Sequence, residues 1–432
     1  MKVSVLGSGM AGCGAVHRLS ELGVDTVTYD MRDHFGGHTA SFEIDGFTLD
    51  EGPHVSFTKN DRVMDVLAEN IDGEYFEHKT KVNNHWKGHW IKHPAQVNLH
   101  GLPTDVISRC IEDFVAASHA AETPPINNYA DWLLAAFGET FATTFPMEYT
   151  KKYHTTPAEN MSTDWIGPRL YRPEISEVLD GALNPKSGDV HYIGEFRYPK
   201  TGGFAAYLKP FLDKTELHLG HKLEAIDPEE LTLRFTNGVE HPFEKLVSSV
   251  PLPELIPTIA RTPEHVLDAA ELLSCSEVVI VSVGVDREDL IDAHWTYFYD
   301  EDYFFTRLST PHMQSINNTP PGHGCIQAEC YYSKKYRPLD IRPDQCIEPV
   351  VRDLRRCGII KEQDSVVFTH AMHIPYANVI FDLDRKQALK TCHEYLDELG
   401  IGYCGRYGEW VYTWTDQAFI SGERVAEKVL DG

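Results

Sequence analysis

The stretch that most limits what this chain can become is Gly7-Ser8-Gly9-Met10-Ala11-Gly12, which follows the β-branched run Val3-Ser4-Val5-Leu6. From Ala11 onward apolar residues recur on one helical face (Ala15, Leu19, Leu22), and residues 24–29 read as a second strand closing on Asp30. Strand, glycine turn, helix, strand and acid is the order of a dinucleotide-binding βαβ unit. Gly7 permits the tight turn, Gly9 lets the backbone approach a pyrophosphate, and Gly12 lets helix and strand pack closely. The helix N-terminus offers unpaired N–H groups and a positive dipole end to phosphates. Asp30, twenty-one positions after Gly9, is placed to accept hydrogen bonds from an adenosine ribose. A glycine turn alone also arises for steric reasons. Here the strand before it, the helix after it and the acid beyond agree, so a dinucleotide is expected.

With 432 residues the chain is too long for one simple core and suits two or three substructures. A formal net charge of −26 argues against nucleic acid and anionic membranes as partners, and requires that any anionic substrate meet a local cluster of arginines. Nine cysteines form no CxxC pair, which fits reduced thiols and a cytoplasmic location. The apolar start is too short for a signal peptide, and no run reaches the length of a membrane helix, so no membrane span is expected. The histidines show no HExxH spacing, and no metal site is expected.

Helical patterns cover residues 61–70, 104–121, 125–146, 387–399 and 421–430. Residues 76–91, 217–250, 276–286 and 315–332 read as strands, with Asn237-Gly238 as a hairpin signal.

Beyond Asp30 the chain carries Gly36-Gly37-His38 and then Gly52-Pro53-His54. Here it resembles the flavoproteins of the amine oxidase, protoporphyrinogen oxidase and UDP-galactopyranose mutase type, with a Gly-Gly pair after the second strand and a Gly-Pro-His loop beside the flavin. The resemblance implies FAD rather than NAD. It implies an α/β fold in which a discontinuous Rossmann-like FAD-binding domain (1–75, 205–265, 385–432) carries an inserted β-sheet substrate domain (76–103, 266–384) and a helical insertion (104–204). The cofactor set it implies is Gly7, Ser8, Gly9, Met10, Ala11, Gly12, Asp30, Met31, Arg32, Gly36, Gly37, His38, Gly52, Pro53, His54, Leu223, Arg406, Asp416, Gln417 and Ala418.

Further segments carry the likeness. In Tyr149-Thr150-Lys151-Lys152-Tyr153-His154, followed by Trp165-Ile166-Gly167-Pro168-Arg169, the resemblance makes Arg169 a diphosphate clamp and Tyr153 and His154 substrate-binding. A planar guanidinium suits phosphate oxygens, although without the resemblance Arg169 reads more readily as a salt-bridged helix arginine. His154 stands where the mutases have a tryptophan against the uracil base, and offers less stacking area. Tyr303-Phe304-Phe305-Thr306-Arg307 resembles the strand bearing the second clamp, Arg307; the plain alternative pairs Arg307 with Asp300 or Glu301. Gly405-Arg406 through Tyr412 to Gln417 resembles the segment in which the arginine lies by the flavin and the tyrosine binds phosphate. Tyr376 stands where the mutases place another phosphate-binding tyrosine, and Tyr198-Pro199-Lys200-Thr201-Gly202-Gly203 resembles a loop returning toward FAD. His54 is read as lying beside the flavin ring, or else as a loop histidine satisfied by carbonyls.

These likenesses imply a flavoenzyme acting on a nucleotide-sugar or other small molecule. The first expectation is a mutase interconverting pyranose and furanose rings through a reduced-flavin N5–sugar adduct, with catalytic His54, Arg169 and Arg307 and a reductant such as NAD(P)H. The alternative is an FAD-dependent oxidoreductase of the amine oxidase or protoporphyrinogen oxidase type.

Overall fold

A computed structural model describes residues 1–122, 124–185 and 193–431. The N-terminal unit forms as its pattern requires: β1 (Lys2–Leu6), α1 (Met10–Glu21) and β2 (Asp25–Tyr29), with β1 and β2 parallel and in register from Lys2↔Asp25 to Leu6↔Tyr29. Three strands from distant parts of the chain complete a five-stranded sheet in the order Gly402–Tyr403, Lys245–Ser248, β1, β2, Glu216–His218. All four neighbouring pairs are parallel, so both faces must be covered. On one face α1 and the C-terminal helix Thr415–Asp431 do this, burying Ala15, Val16 and Leu19 with Val425, Ala426 and Val429 against Val3, Val5 and Val247. Each such side chain contributes roughly 1.5–3 kcal/mol relative to exposure.

A second, seven-stranded sheet runs Val366–Ile374, Glu277–Val285, Gly324–Tyr332, Arg307–Ser309, Trp295–Phe298, Val82–Trp86, His89–Lys92. Every residue of Glu277–Val285 is buried. Val279, Val281 and Val283 join one core with Val350 and Leu354 of helix Ile347–Arg356, while Val278 and Ile280 face the other way. The helices Thr104–Ser118, Tyr129–Phe137, Glu139–Thr144 and Pro146–Tyr153 pack through Phe114, Leu133, Phe137, Phe141 and Phe145.

The coarse reading needs correction in several places, helices Ile175–Leu183 and Glu264–Leu272 and strand Trp295–Phe298 having escaped it altogether. Residues 315–323 are not strand, because the strand begins only at Gly324 after the short turn Ile316–Asn318. Helix Ile347–Arg356 escapes the pattern because Pro349 looks like a breaker, yet it sits in the first turn, where the missing N–H costs nothing. Strand Val366–Ile374 lies at the sheet edge and stays half-exposed, so its alternation is diluted by Thr369, His370 and His373. The final helix begins at Thr415, not Ser421. The Asn237-Gly238 turn does join two antiparallel strands, Thr232–Phe235 and Glu240–Pro242.

Candidate functional site

At the nucleotide end, Gly9 occupies the N-cap of α1 with no side-chain cap, so no side chain takes the N–H groups of that first turn. The Gly36-Gly37 turn lies directly opposite: a Cβ on Gly9 would stand 3.5 Å from the Gly36 carbonyl oxygen and 3.7 Å from the Gly37 Cα. A Cβ on Gly12 would stand 2.0 Å from the Gly7 carbonyl oxygen, which excludes any larger residue. Asp30 is buried and ties the turn to the strand end: its carboxylate accepts from the Ser8 N–H at 2.9 Å, the Ser8 hydroxyl at 2.5 Å and the Arg32 N–H at 3.0 Å. The His221 N–H donates to the Asp30 carbonyl and the Gly220 N–H to the Arg32 carbonyl, both at 2.7 Å, which brings the chain up to Leu223 alongside. Met31 is largely exposed, and the Arg32 guanidinium pairs with Glu51. An uncapped helix N-terminus facing a glycine pair, with a buried acid behind it, fits the pyrophosphate and ribose of a dinucleotide.

The Gly36-Gly37-His38 turn runs from this end into an open cleft of ≈ 1060 Å³, where His38 forms part of the wall and meets Tyr407 edge-on at 5.4 Å. The sheet register builds the cleft floor. Asn84, Tyr297, Arg307, Glu329, Ile280 and Met372 are successive cross-strand partners, and the middle four line the cavity. Gly52, Pro53 and His54 enter from the loop after strand Phe47–Asp50, Tyr153 from the end of its helix, and Arg406 and Tyr412 from the segment before the last helix.

Arg307 is not paired with Asp300 or Glu301. Its Nε and Nη2 donate to the two carboxylate oxygens of Glu329 at 2.8 and 2.9 Å, and the Tyr331 hydroxyl donates to the same carboxylate. Glu329 is 1% exposed, so this is a buried two-pronged pair. Arg406 is held by neutral oxygens: its guanidinium donates to the Thr413 carbonyl, the Ala377 carbonyl at 3.0 Å and the Asn378 amide oxygen at 3.3 Å. It makes no ion pair among the described residues. Arg169 does not line the cleft. It lies one layer behind, its guanidinium 4.6 Å from the rings of both Tyr412 and Trp414, donating to the Tyr412 carbonyl.

The hydroxyls of Tyr153 and Tyr412 bond to each other at 2.6 Å. Tyr376 lines the cleft beyond the end of strand Val366–Ile374, and its hydroxyl donates to Glu254 at 2.8 Å. His154, expected to stack on a base, is 3% exposed and stands apart from the cleft, its ring packed against Tyr153 and Trp165. Burial holds it neutral, down at about 3. Asp416, Gln417 and Ala418 lie in the first turn of helix Thr415–Asp431, of which only Thr415 reaches the cavity wall.

His54 Nδ1 lies 3.0 Å from the Gly52 carbonyl oxygen. A carbonyl only accepts, so Nδ1 carries the proton and Nε2 presents a lone pair. Burial, followed by the charges of Arg406 and His38, holds the ring down at about 3, so it is neutral at physiological pH. His54 is thus satisfied by a carbonyl and also faces the cleft.

Glu329, Tyr331, Trp295, Tyr297 and Tyr407 also line the cleft, and motif reading missed them. The available signal was period-two alternation: Trp295 and Tyr297, like Glu329 and Tyr331, share a face with Arg307 once the register is known. Among the described residues no group of three or more His, Cys, Asp or Glu could hold a metal ion, and no helix is long and apolar enough to cross a membrane. The nine cysteines are free.

Several known proteins resemble this chain. A crystal structure of reduced UDP-galactopyranose mutase superposes with a TM-score of 0.93 at 26% identity, covering 100% of this chain and 95% of that one. A protoporphyrinogen oxidase-like protein from Exiguobacterium superposes with a TM-score of 0.76, covering 100% of this chain and 99% of that one; at 15% identity this likeness speaks to the fold alone. A 4,4'-diaponeurosporene oxygenase of Staphylococcus haemolyticus is 37% identical over 54 residues, 12% of this chain and only 11% of that relative's length. The model of the family described as flavin containing amine oxidoreductase matches residues 10–430, nearly the whole chain. With the uncapped helix, the glycine pair and the cleft they lead into, that match makes this chain a member of the flavin-containing amine oxidoreductase family.

Proposed function

We propose that the chain is an FAD-dependent sugar-nucleotide mutase that interconverts the pyranose and furanose forms of a nucleoside-diphosphate hexose. The observation that carries this reading is the arrangement of donors in the cleft. In a chain of net charge −26, Arg307 and Arg406 line one cavity together with the mutually bonded hydroxyls of Tyr153 and Tyr412. The likeness over the whole chain to a reduced UDP-galactopyranose mutase supports the same reading. The Gly9 and Gly36-Gly37 backbone would hold FAD, and the chemistry that group would supply in its reduced form is an electron pair for the anomeric carbon as the diphosphate leaves, with no net redox change.

The chain's own groups bind, orient and balance charge. Between Tyr153 and Tyr412 only one O–H is spent on the other hydroxyl, so the second is free to donate to a phosphate oxygen. Arg307 spends Nε and Nη2 on Glu329, leaving Nη1 for a leaving-group oxygen. Arg406, with no acidic partner among the described residues, opposes negative charge that develops in the cleft. His54 Nε2 accepts from a sugar hydroxyl. Arg169 positions Tyr412 through its ring face and carbonyl.

Glu329 favours a second reading. Its carboxylate cancels the Arg307 charge, so that pair presents no net charge to a ligand and suits oxidation of a neutral or cationic substrate by the flavin. An anaerobic experiment separates the two. Protein with its flavin reduced by dithionite, and the same protein left oxidised, are incubated with UDP-galactopyranose and the nucleotides separated by chromatography. A new UDP-hexose of equal mass in the reduced sample alone supports the mutase. Conversion in neither sample, with flavin bleached by an amine, supports the oxidoreductase. Bleaching by NAD(P)H under argon tests the proposed reductant.

A further inference from the structure

A second cavity, ≈ 780 Å³ and partly open to solvent, lies on the other side of Tyr331 from the cleft. Helix Pro146–Tyr153 contributes Lys151 and Lys152, the loop before Arg307 contributes Glu301 and Thr306, and the turn after strand Gly324–Tyr332 contributes Arg337. Its charge balance differs from the rest of an acidic molecule. Three consecutive acids, Asp300, Glu301 and Asp302, stand close by, but two are turned away. The Asp300 carboxylate accepts the Lys87 N–H at 2.8 Å and stands 3.3 Å from His85, and Asp302 pairs with Arg356 at 3.2 Å. Only Glu301 reaches the cavity, and it faces Lys151 at 3.6 Å. Lys152 and Arg337 are left without an acidic partner among the described residues.

Lys152 is 4% exposed, and its ammonium donates to two backbone carbonyls, Asp300 at 2.6 Å and Phe305 at 2.8 Å. An ammonium has three N–H groups, so one remains for the cavity. Burying a cation against carbonyls alone is costly, and burial draws this one down to about 7 against the pull of Asp300. An anion in the cavity would relieve that cost. Thr155 and Cys330 also line the cavity, and five aromatic residues, Tyr303, Phe304, Tyr331, Tyr332 and Tyr336, offer rings to an organic group.

We propose that this cavity binds a phosphate monoester, its phosphoryl oxygens between Lys152 and Arg337 and its organic part against the tyrosine rings. The proposal does not depend on which flavin reaction the cleft performs. The test is calorimetric titration of the flavin-loaded protein with two probes, inorganic phosphate and glucose 1-phosphate. Saturable one-to-one binding is expected. It should weaken at least tenfold in Arg337→Ala and in Lys152→Gln, and persist in Arg307→Ala, whose side chain lines the cleft and not this cavity. Arg337 is exposed and bears no ion pair among the described residues, so its variant should keep its flavin spectrum and melting temperature even if Lys152→Gln folds poorly. Tighter binding of glucose 1-phosphate than of phosphate supports an organic ester held by the rings, and equal binding overturns that part in favour of free phosphate. No saturable binding of either probe overturns the proposal, as does binding unchanged in Arg337→Ala or lost only in Arg307→Ala.

Discussion

The two ends of the elongated site are built from different material. At the nucleotide end the contacts are backbone on backbone. A Cβ on Gly422 would stand 1.9 Å from the Ala11 carbonyl oxygen, and one on Gly14 would stand 2.0 Å from the Phe419 carbonyl oxygen. There α1 and helix Thr415–Asp431 approach as closely as main chains can. The cleft, by contrast, is walled by side chains from several segments, and its floor is one row across a sheet. At the first end Gly12, Gly14 and Gly422 admit no added carbon. The second tolerates changes of shape but depends on charge balance.

The sharpest way to break the comparison is to add atoms at the first end. Gly422→Val puts a branched side chain where one carbon already collides with backbone that cannot yield. Ordinary overpacking costs about 1–3 kcal/mol, and here two helices must part. No flavin-loaded protein is expected to accumulate, as read from the flavin absorbance of the purified fraction. Gly194→Ala, with nothing among the described residues within 4 Å of its added carbon, is the control and should melt with the parent chain. Flavin retained in Gly422→Val would mean the helices do not meet this closely.

The same contrast explains what the sequence could reveal. The nucleotide end is legible because its geometry is local: turn, cap and acid lie within residues 7–30, and at Gly12 and Gly14 only hydrogen fits against the opposing backbone. The cleft arginines were found through motifs, but their surroundings were not. That Arg307 faces Glu329 rather than Asp300 or Glu301 follows from strand register, set by contacts twenty or more residues apart. His154 lies buried behind Tyr153 because its helix ends there and turns its ring toward Trp165, which no spacing in the sequence announces.

A smaller effect is expected from the charge pair of the cleft floor. Arg307→Ala leaves the buried Glu329 carboxylate without its cation, which costs about 3–5 kcal/mol when one partner of a buried pair is removed. The double variant Arg307→Met/Glu329→Leu removes both charges and should recover most of that loss in urea unfolding. A double variant no more stable than Arg307→Ala would show that the row is held by shape and not by charge.

The smallest effect belongs to His54, where the two ends meet. Its folded-state pKa of about 3 lies below the ordinary histidine value of 6.5, because burial and then Arg406 and His38 disfavour the imidazolium. Between those two values the unfolded chain holds a proton that the folded chain does not, so stability rises with pH through that window and is lost as pH falls. His54→Gln should flatten this slope while leaving stability above pH 7 within about 0.5 kcal/mol, the usual scale for a substitution that leaves no cavity and no unpaired charge. The direct check is the imidazole Cε1–H shift in labelled protein, which should stay constant from pH 5 to 8. A midpoint near the ordinary histidine value would put the ring in water. The neutral Nε2 acceptor would then be lost, and with it the continuity from the Gly36-Gly37-His38 turn to the sheet floor that one ligand spanning both ends requires.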